Sequence, residues 1–483
     1  MIGLAVLLWS PLLCNACATI KTPASSSNAI ASHNKNAKYQ ESSPSSGILS
    51  TVAGYKTKSG GSDADGVLAT SKKLYGPNGL AVDKEGNVFI TDSNKIWKVT
   101  ASSGIITKVA GTDSFGYSGD GGQATTANLY RPTSVALDTS GNIYIADSTN
   151  DLIRKVTVST GVITTVAGKG YIRGYYSENA AATSTPLNNP QDVAVDASGN
   201  IFIADTGNRI IRKVTASTGN ITRIAGTGSN YGSDGVRRDI ASEYYLSNPF
   251  GVALDSAGNV YIAGSLFDSC VFKVTVSTGN ITVVAGRTGM AGYNGDNILA
   301  TKARLNNPKQ IAFDASDNMF INDADNYRIR RVSASTGIIT TVAGTGKNDS
   351  ESTNDGDGGS AILQSIFKPN GLAVAANGDF YFSNSIMGVV KKVTYTTGTP
   401  ASSVTAAPAV TPAVTPSTPS TATAPTPSAS SPSSSPSLSV SKAPSTSSTT
   451  GSQSSATTHV AQTLHLTMIL LSSLLILHLC RDA

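Results

Sequence analysis

The chain has 483 residues, a formal net charge of +5 and 14% charged residues. So mild a charge argues against a nucleic-acid-binding protein, which carries a strongly basic surface. The sequence has 4 cysteines, and only Cys270 lies away from the two ends of the chain. This excludes a small scaffold stapled by disulfides.

Residues 1–18 have the pattern of a secretory signal peptide. An apolar run extends from Ile2 to Leu13, and the small residues Ala16 and Ala18 follow it. A buried strand or an anchor helix is the alternative. We therefore expect export of the chain, with a disordered N-terminal segment at 19–46.

A phrase that recurs along the chain first appears at 47–54, as "GILSTVAG". Five later copies each close a longer unit, but at 47–54 nothing precedes the phrase that it could close. The intervals between its final glycines are 57, 57, 58, 60 and 58 residues. These glycines are Gly54, Gly111, Gly168, Gly226, Gly286 and Gly344. Such a fixed period is the sequence signature of a repeat architecture.

Each full unit contains four short runs rich in Val and Ile. In the unit at 188–226 the runs alternate in polarity and are separated by Gly, Asn and Asp, which predicts four β-strands. The sixth unit ends at Gly398 without a fourth run, and the Pro-rich sequence after it cannot supply one. The six units begin near Pro77, Pro132, Pro190, Pro249, Pro308 and Pro369.

The extra strand near the N-terminus can supply the fourth strand that the sixth unit lacks. We therefore predict an all-β fold: a six-bladed β-propeller over 47–398, in which the N-terminal strand 48–53 completes blade six. A propeller leaves only short, protected edges. An open solenoid would leave the extra strand unused and would expose two edges.

The unit resembles the NHL repeat. The residues that carry the resemblance follow the pattern "P-x-G-V-A-V-D-x-x-G-N-V-Y-I-A-D-x-x-N-x-R-I-R-K-V", six times in register over about 47–398. Departures are Ala375 in strand one, Gly264 and Asn384 after strand two, and "GSLFDSCVFKV" in blade four. The resemblance implies a propeller of the extracellular type and a binding platform more often than a catalyst.

The segments between blades share a rule of their own: an acidic residue, Ala four later, and Leu or Ile nine later. The segment before blade 4 is the exception, because Asp234 is followed by three extra residues before Leu246. We interpret the acidic residue as a turn former that caps a short helical segment, with the Ala and Leu packed on the blade. The alternative is a ring of Ca²⁺ sites, for which Asp120, Asp296 and Asp357 are weak candidates. Their spacing does not match an EF-hand loop, so no metal or other cofactor is predicted.

The propeller region contains no histidine, because all four lie outside it: His33, His459, His465 and His478. Catalysis by a Ser-His-Asp triad, a Cys-His pair or histidine-bound zinc is therefore excluded there. We predict no catalytic residues. A calcium-dependent propeller hydrolase or lyase of the lactonase-like type remains the alternative, because Asp and Asn are abundant.

Basic residues repeat along strand three, as "IRKV" at 153–156 and "RIRRV" at 328–332. They could contact nucleic-acid phosphates. We favour the solvent face of an alternating strand, and we predict no nucleic-acid partner.

Three N-glycosylation motifs begin at Asn220, Asn280 and Asn348. The first two precede strand four, which should be reachable at the outer edge of a blade. The alternative is that they are turn asparagines.

Beyond the propeller, residues 399–463 are almost wholly Ser, Thr, Pro and Ala, which predicts a disordered, O-glycosylated stalk. Residues 464–483 form a hydrophobic tail. The tail is either a GPI signal, with attachment at Ser454 or Ser455, or a short single-pass transmembrane helix; we favour GPI.

These features together predict a non-catalytic cell-surface propeller that binds an extracellular protein or glycan. We expect a monomer on the extracellular face of the plasma membrane, attached through its C-terminal anchor.

Overall fold

Six β-sheets follow one another along the chain in the computed structural model, which describes residues 47–55, 61–170, 172, 174, 178–228, 239–348 and 356–395. Each sheet contains four antiparallel main strands, and we number the sheets as blades 1 to 6. The first strands are Pro77–Val82, Ser134–Leu137, Asp192–Val195, Pro249–Leu254, Pro308–Phe313 and Leu372–Val374. The second strands are Val88–Asp92, Ile143–Asp147, Ile201–Asp205, Val260–Gly264, Met319–Asp323 and Phe380–Asn384. The third strands are Lys95–Val99, Leu152–Thr157, Ile210–Val214, Cys270–Thr275, Arg328–Val332 and Val389–Thr394.

The fourth strands complete the sheets, and the one in blade 6 comes from the N-terminal end of the described chain. They are Ile105–Gly111, Val162–Ala167, Asn220–Ala225, Asn280–Gly286, Ile338–Ala343 and, for blade 6, Ile48–Ala53. The first strands of consecutive blades contact each other in a cycle that includes blade 6 with blade 1. The fold is therefore a closed six-bladed β-propeller, as the repeat predicted.

The N-terminal strand pairs with the third strand of blade 6 in the same register that the other blades use. Leu49 pairs with Val393, and a bulge interrupts the register between Thr51 and Ala53. Blade 2 has the same irregularity between Thr165 and Ala167. The strand at Ile48–Ala53 is thus a regular fourth strand, although it precedes the other three strands of its blade in the sequence.

Each hydrophobic core lies between two consecutive blades. The core between blades 6 and 1, for example, joins Ala53, Tyr381 and Val390 of one blade to Leu80 and Ile90 of the next. Six such clusters follow one another around the ring. Removal of one blade would therefore expose the apolar faces of both its neighbours.

The segments between blades run along the outer edge of the blade that follows them. In blades 1, 3 and 5 they add a two-residue fifth strand: Val67–Leu68, Ala180–Ala181 and Ile298–Leu299. A single 3-10 turn follows in each segment: Ala69–Ser71, Ala124–Thr126, Ala182–Ser184, Ala241–Glu243, Ala300–Lys302 and Ala361–Leu363. The first alanine of every turn is buried, as the sequence rule predicted.

The acidic residues of these segments do not cap the turns, so that part of our interpretation was wrong. The residue before the first turn is Leu68, and none of the six turns has a side-chain cap. The carboxylates instead form hydrogen bonds or ion pairs with the blade that their segment borders. Asp65 accepts hydrogen bonds from the backbone N–H groups of Gly66 and Lys108, at 2.9 Å each. The acidic residue fastens the segment to its blade rather than starting a helix.

Ring closure can be tested with Leu49→Ala in the N-terminal strand. Leu49 is 1% exposed in the core between blades 5 and 6, so the truncation should lower the free energy of unfolding by about 2–5 kcal/mol. Ile48→Ala is the matched control, because Ile48 is 36% exposed; its cost should be below about 1 kcal/mol. Equal, small effects in urea denaturation would contradict closure by this strand.

Candidate binding face

The two faces of the ring differ in their connections. One face carries the loops between strands two and three together with the ends of strands four, and we call it the loop face. The other carries the tight turns between strands one and two and between strands three and four, and we call it the turn face. Loop residues at element ends are where a rigid scaffold usually carries its binding groups.

An aspartate at the end of strand two organises the loop face in most blades. Asp147 accepts a hydrogen bond from the backbone N–H of Tyr130 at 2.7 Å, and Asp205 accepts one from Asn188 at 2.8 Å. Each carboxylate thereby holds the chain as it enters the first strand of its own blade. Burial raises the pKa of Asp147 to about 6, against the lowering effects of Asn150 and the Tyr130 N–H.

A buried basic side chain from strand three lies beside this aspartate in blades 2, 3 and 5, and in blade 6, where Asn384 replaces the aspartate, Lys391 pairs with Asp357 of the preceding segment instead. Arg154 is fully buried and lies 3.6 Å from Asp147 and 2.6 Å from Asp120. Arg330 makes the equivalent contacts with Asp323 at 3.3 Å and Asp296 at 2.8 Å. The residues at this position are Arg154, Arg212, Arg330 and Lys391. The interpretation of this stripe as a solvated face was therefore wrong for these four residues.

The three weak metal candidates lie in three different segments on separate blades. Asp120 contacts Arg154, Asp296 contacts Arg330, and Asp357 contacts Lys391 at 2.9 Å. Each carboxylate has a basic partner from the blade it borders, and the structure does not bring the three together. In the part of the chain that the structure describes, no group of three or more His, Cys, Asp or Glu side chains is placed to hold a metal ion.

Polar side chains that the sequence analysis did not single out meet at the axis of the ring. Asp192 accepts hydrogen bonds from the Ser134 hydroxyl of blade 2, from the Val252 N–H of blade 4 at 2.8 Å, and from the Gln310 amide of blade 5 at 3.3 Å. Gln310 in turn accepts from the Leu372 N–H of blade 6 at 2.8 Å. This layer links five consecutive blades around the axis.

The signal for this layer was present in the repeat. Asp192, Gln310 and Ser134 occupy the third position of the unit, where the other three repeats have Gly79, Gly251 and Gly371. A Cβ at Gly251 would lie 2.2 Å from the carbonyl oxygen of Lys309 in the next blade. Glycine is therefore required where the backbones approach, and the long polar side chains fill the remaining space.

Asp192 is buried without a cation beside it. Burial raises the pKa of Asp192 to about 6, and its hydrogen bonds from Ser134, Val252, Val193 and Gln310 oppose that rise. This carboxylate is the ionisable group of the axial layer, so its protonation should be visible in the stability of the ring.

Blade 4 departs from the pattern at its loop between strands two and three. Gly264 stands where most blades have the aspartate, and Asp268 from the loop accepts a hydrogen bond from the Ser247 N–H at 3.0 Å in its place. A Cβ at Gly264 would lie 2.7 Å from the Cβ of Asp268, so the two changes fit together. The blade keeps the hydrogen bond to its entering strand while its loop changes shape.

The blade 4 loop also exposes two large apolar side chains. Leu266 and Phe267 are 53% and 80% exposed, and Leu266 has a backbone φ of 53°. A bulky residue in the left-handed region is unusual and is held there by its surroundings. Further exposed apolar residues on the loop face are Tyr75, Phe115 and Ile386. The loop face therefore offers apolar contacts around the ring.

The glycosylation motifs differ in accessibility. Asn280 is exposed at the start of strand four in blade 4, whereas Asn220 is half-buried; the preceding segment pairs with both, through Ile240 and Ala181 respectively. Asn348 is exposed, but the remainder of its motif lies outside the described residues. Strand four is thus not the outer edge in blade 3, contrary to our expectation.

The predicted leader at 1–18, the segment at 19–46, the stalk, the tail and the attachment residues Ser454 and Ser455 lie outside the described residues. Among the residues that are described, none belongs to a helix long and apolar enough to cross a membrane. Cys270 is buried at the start of strand three in blade 4, and it forms no disulfide within the described residues.

Comparisons with known proteins agree with this architecture. The family profile "NHL repeat" matches residues 187–209, and the profile "Teneurin NHL domain" matches residues 113–177. The chain is 26% identical over 355 residues to Protein SUPPRESSOR OF QUENCHING 1, chloroplastic, of Arabidopsis thaliana, which covers 71% of this chain and 32% of that protein. It is 28% identical over 268 residues to NHL repeat-containing protein 2 of Bos taurus, covering 50% of this chain and 35% of that protein.

The chain thus spans about a third of the length of these two relatives. Among solved structures, an auxiliary nutrient binding protein from Bacteroides thetaiotaomicron superposes with a TM-score of 0.52 at 16% identity, over 73% of this chain and 77% of that one. At that identity the likeness concerns the fold alone.

The ring of repeated four-stranded sheets defines a six-bladed β-propeller. The repeated motif and the profile matches further show that this propeller contains NHL repeats.

The buried arginines can be tested with Arg154→Met. This change leaves Asp147 and Asp120 without their cation, so the free energy of unfolding should fall by about 3–5 kcal/mol. Lys155→Met is the control on the same strand, because Lys155 is half-buried and lies 3.9 Å from Asp138; it should cost about 1 kcal/mol or less. Similar costs for both variants would mean that Arg154 is not paired as described.

The axial carboxylate predicts a pH dependence. Folded Asp192 binds its proton more tightly than the unfolded residue, because its pKa is about 6 rather than 3.8. The folded state is therefore favoured below about pH 4, and this advantage is lost as the pH rises through 6. The stability of wild type relative to Asp192→Asn should fall by up to about 3 kcal/mol between pH 4 and 7. Denaturation of both proteins across that range measures it, and a constant difference would contradict the assignment.

Proposed function

We propose that this NHL propeller is a recognition module that binds an extracellular protein or glycan through its loop face, without catalysis. The observation that carries the proposal is the blade 4 loop, which exposes Leu266 and Phe267 on an otherwise regular ring. Exposed apolar side chains grouped within a polar rim favour macromolecular contact.

The rest of the ring supports the proposal by its regularity. The repeated aspartates and the basic residues of strand three bind one another and the backbone, so they serve the scaffold. Specificity then falls to the loops, which differ between blades. Blade 4 has five residues between strands two and three, 265–269, where blade 3 has four, 206–209.

Location at the cell surface is part of the same proposal. It rests on the signal-peptide pattern at 1–18, the Ser/Thr/Pro-rich segment at 399–463 and the hydrophobic tail at 464–483. Attachment through a GPI anchor at Ser454 or Ser455 is favoured, and a single-pass helix is the alternative. The propeller would then stand away from the membrane as a monomer on a glycosylated stalk.

The proposal is tested by saturable binding of the secreted propeller to intact cells and extracellular material. Phe267→Ser should weaken binding by tenfold or more, because an exposed aromatic at the centre of a contact carries much of its free energy. Val276→Ser is the control: Val276 is 56% exposed but lies on the turn face, so binding should change less than twofold.

Two outcomes would contradict the proposal. Binding that is insensitive to Phe267→Ser but lost in Val276→Ser would place the partner on the turn face. Binding or ester hydrolysis that disappears with a calcium chelator would favour the calcium-dependent hydrolase instead.

A further inference from the structure

Blade 1 lacks the basic residue that other blades bury beside the strand-two aspartate. Trp97 occupies that position of strand three, and the cation comes instead from the preceding segment, as Lys72. Lys72 is 3% exposed, and its ammonium lies 4.0 Å from the centre of the Trp97 ring. Blade 1 therefore takes its buried cation from the preceding segment rather than from strand three.

The substitution leaves the buried cation without a direct ion pair among the described residues, although the carboxylates of Asp63, Asp65 and Asp92 act on it from farther away. Lys72 Nζ donates to the carbonyl oxygens of Asp63 at 2.7 Å and Ala64 at 3.1 Å, and no carboxylate of the described residues lies within 4.0 Å of it. In blades 2, 3, 5 and 6 the equivalent cation has such a partner. A buried charge without a counter-charge is costly, which favours an anion from outside the chain.

A cavity of about 510 Å³ opens on the loop face beside Lys72. Its lining includes the rings of Tyr75 and Trp97 and the amide of Asn94. The charged groups of the lining are three lysines and three carboxylates: Lys72, Lys73, Lys95, Asp63, Asp92 and Asp113. The indole N–H of Trp97 is buried and has no hydrogen-bond acceptor among the described residues. The cavity thus places the Lys72 and Lys95 ammonium groups and the exposed ring of Tyr75 around one space.

We propose that this blade 1 cavity binds an acidic monosaccharide of the uronic acid type, with the sugar carboxylate beside Lys72. The proposal rests on the proposed function, since it names a glycan class for the loop face. The volume lies within the range of small-molecule sites. Tyr75, which is 59% exposed, offers the ring face opposite Lys73 to the apolar face of a sugar. Asp63 accepts a hydrogen bond from the Tyr75 hydroxyl at 2.9 Å and Asn94 accepts one from the Arg131 N–H at 3.1 Å, and their remaining lone pairs would accept from the sugar hydroxyl groups.

The lysines around the cavity are engaged to different degrees. Lys95 contacts Asp113, whose side chain is 94% exposed, so this solvent-exposed pair is weak and opens at little cost. Lys73 lies 4.8 Å from the centre of the Tyr75 ring. Burial, followed by the nearby Lys95 ammonium, lowers the pKa of Lys72, and the carboxylates of Asp63, Asp65 and Asp92 oppose that lowering. A carboxylate between Lys72 and Lys95 would relieve the repulsion between them.

Trp97 supplies a direct readout. The chain has 2 tryptophans, Trp9 and Trp97, so a full chain carrying Trp9→Phe reports on the cavity alone. Titration with D-glucuronate should shift or quench the tryptophan emission saturably, with a Kd of about 1 mM as expected for a ligand of this size. Glucose and acetate, which separate the sugar from the carboxylate, should each bind at least tenfold more weakly.

Two lysine variants test the geometry. Lys72→Met should weaken glucuronate binding tenfold or more, and Lys95→Met at least threefold; the second variant keeps the test valid if the first does not fold. Lys98→Met is the matched control, because Lys98 lies at the other end of the same strand and faces the Phe89 ring at 5.4 Å. It should leave binding unchanged.

The possible results distinguish a failure of the blade 1 site from a failure of the wider recognition function. No saturable change with glucuronate, or equal binding of acetate, would overturn the proposal, as would equal losses in Lys98→Met and Lys95→Met. Cell binding that depends on Phe267 while glucuronate has no effect would reject only the blade 1 site. A glucuronate response without any cell binding would reject the wider recognition function instead.

Discussion

The pairing of Ile48–Ala53 with Val389–Thr394 is the interaction on which the rest of the structure depends. Every apolar core of the ring is shared between two neighbouring blades, so no blade buries its side chains alone. That single strand joins the two ends of the ring, which lie more than 300 residues apart in sequence. Hydrogen bonds from Ser383 and Ser385 to the carbonyl groups of Asn78 and Pro77, at 2.6 Å each, extend the same joint to blade 1.

Closure explains how the chain can place so many ionisable groups inside. Arg154 and Arg330 are fully buried, and each is held between two carboxylates of its own blade and segment. Such pairs contribute less to net stability than to specificity, because desolvation offsets their attraction. Their role is consistent with fixing where each intervening segment lies, which leaves the loop-face side chains free to differ from blade to blade.

The repeat made the blade number and the closing strand predictable, since the phrase at 47–54 and the absent strand after Gly398 fit only a ring. The burial of the strand-three arginines could not be predicted from the alternation of polar and apolar residues along the strand. Alternation assumes one solvent face, whereas a propeller blade is covered on both faces by its neighbours. The acidic residue of each segment was likewise misassigned, because its partner lies on a different strand about 35–45 residues away, as for Asp120 with Arg154 and for Asp65 with Lys108.

The candidate site was still harder to foresee. The Lys72–Trp97 contact joins a segment and a strand, and each residue alone looks like an ordinary substitution. Asp268, similarly, restores in blade 4 the hydrogen bond that Gly264 cannot make, although it sits four residues later. Both features depend on distances across the fold. From the sequence we noted the departure in blade 4 but not the tryptophan at the strand-three position of blade 1.

Native-state hydrogen exchange tests the closure claim most directly. If the N-terminal strand is an integral fourth strand of blade 6, the amides of Ile48–Ala53 that face Val389–Thr394 should exchange only through global unfolding, with the same free energy as the core strands of blade 3. Exchange of these amides through a low-energy local opening, while the other strands of the six blades stay protected, would contradict a ring held shut by this strand.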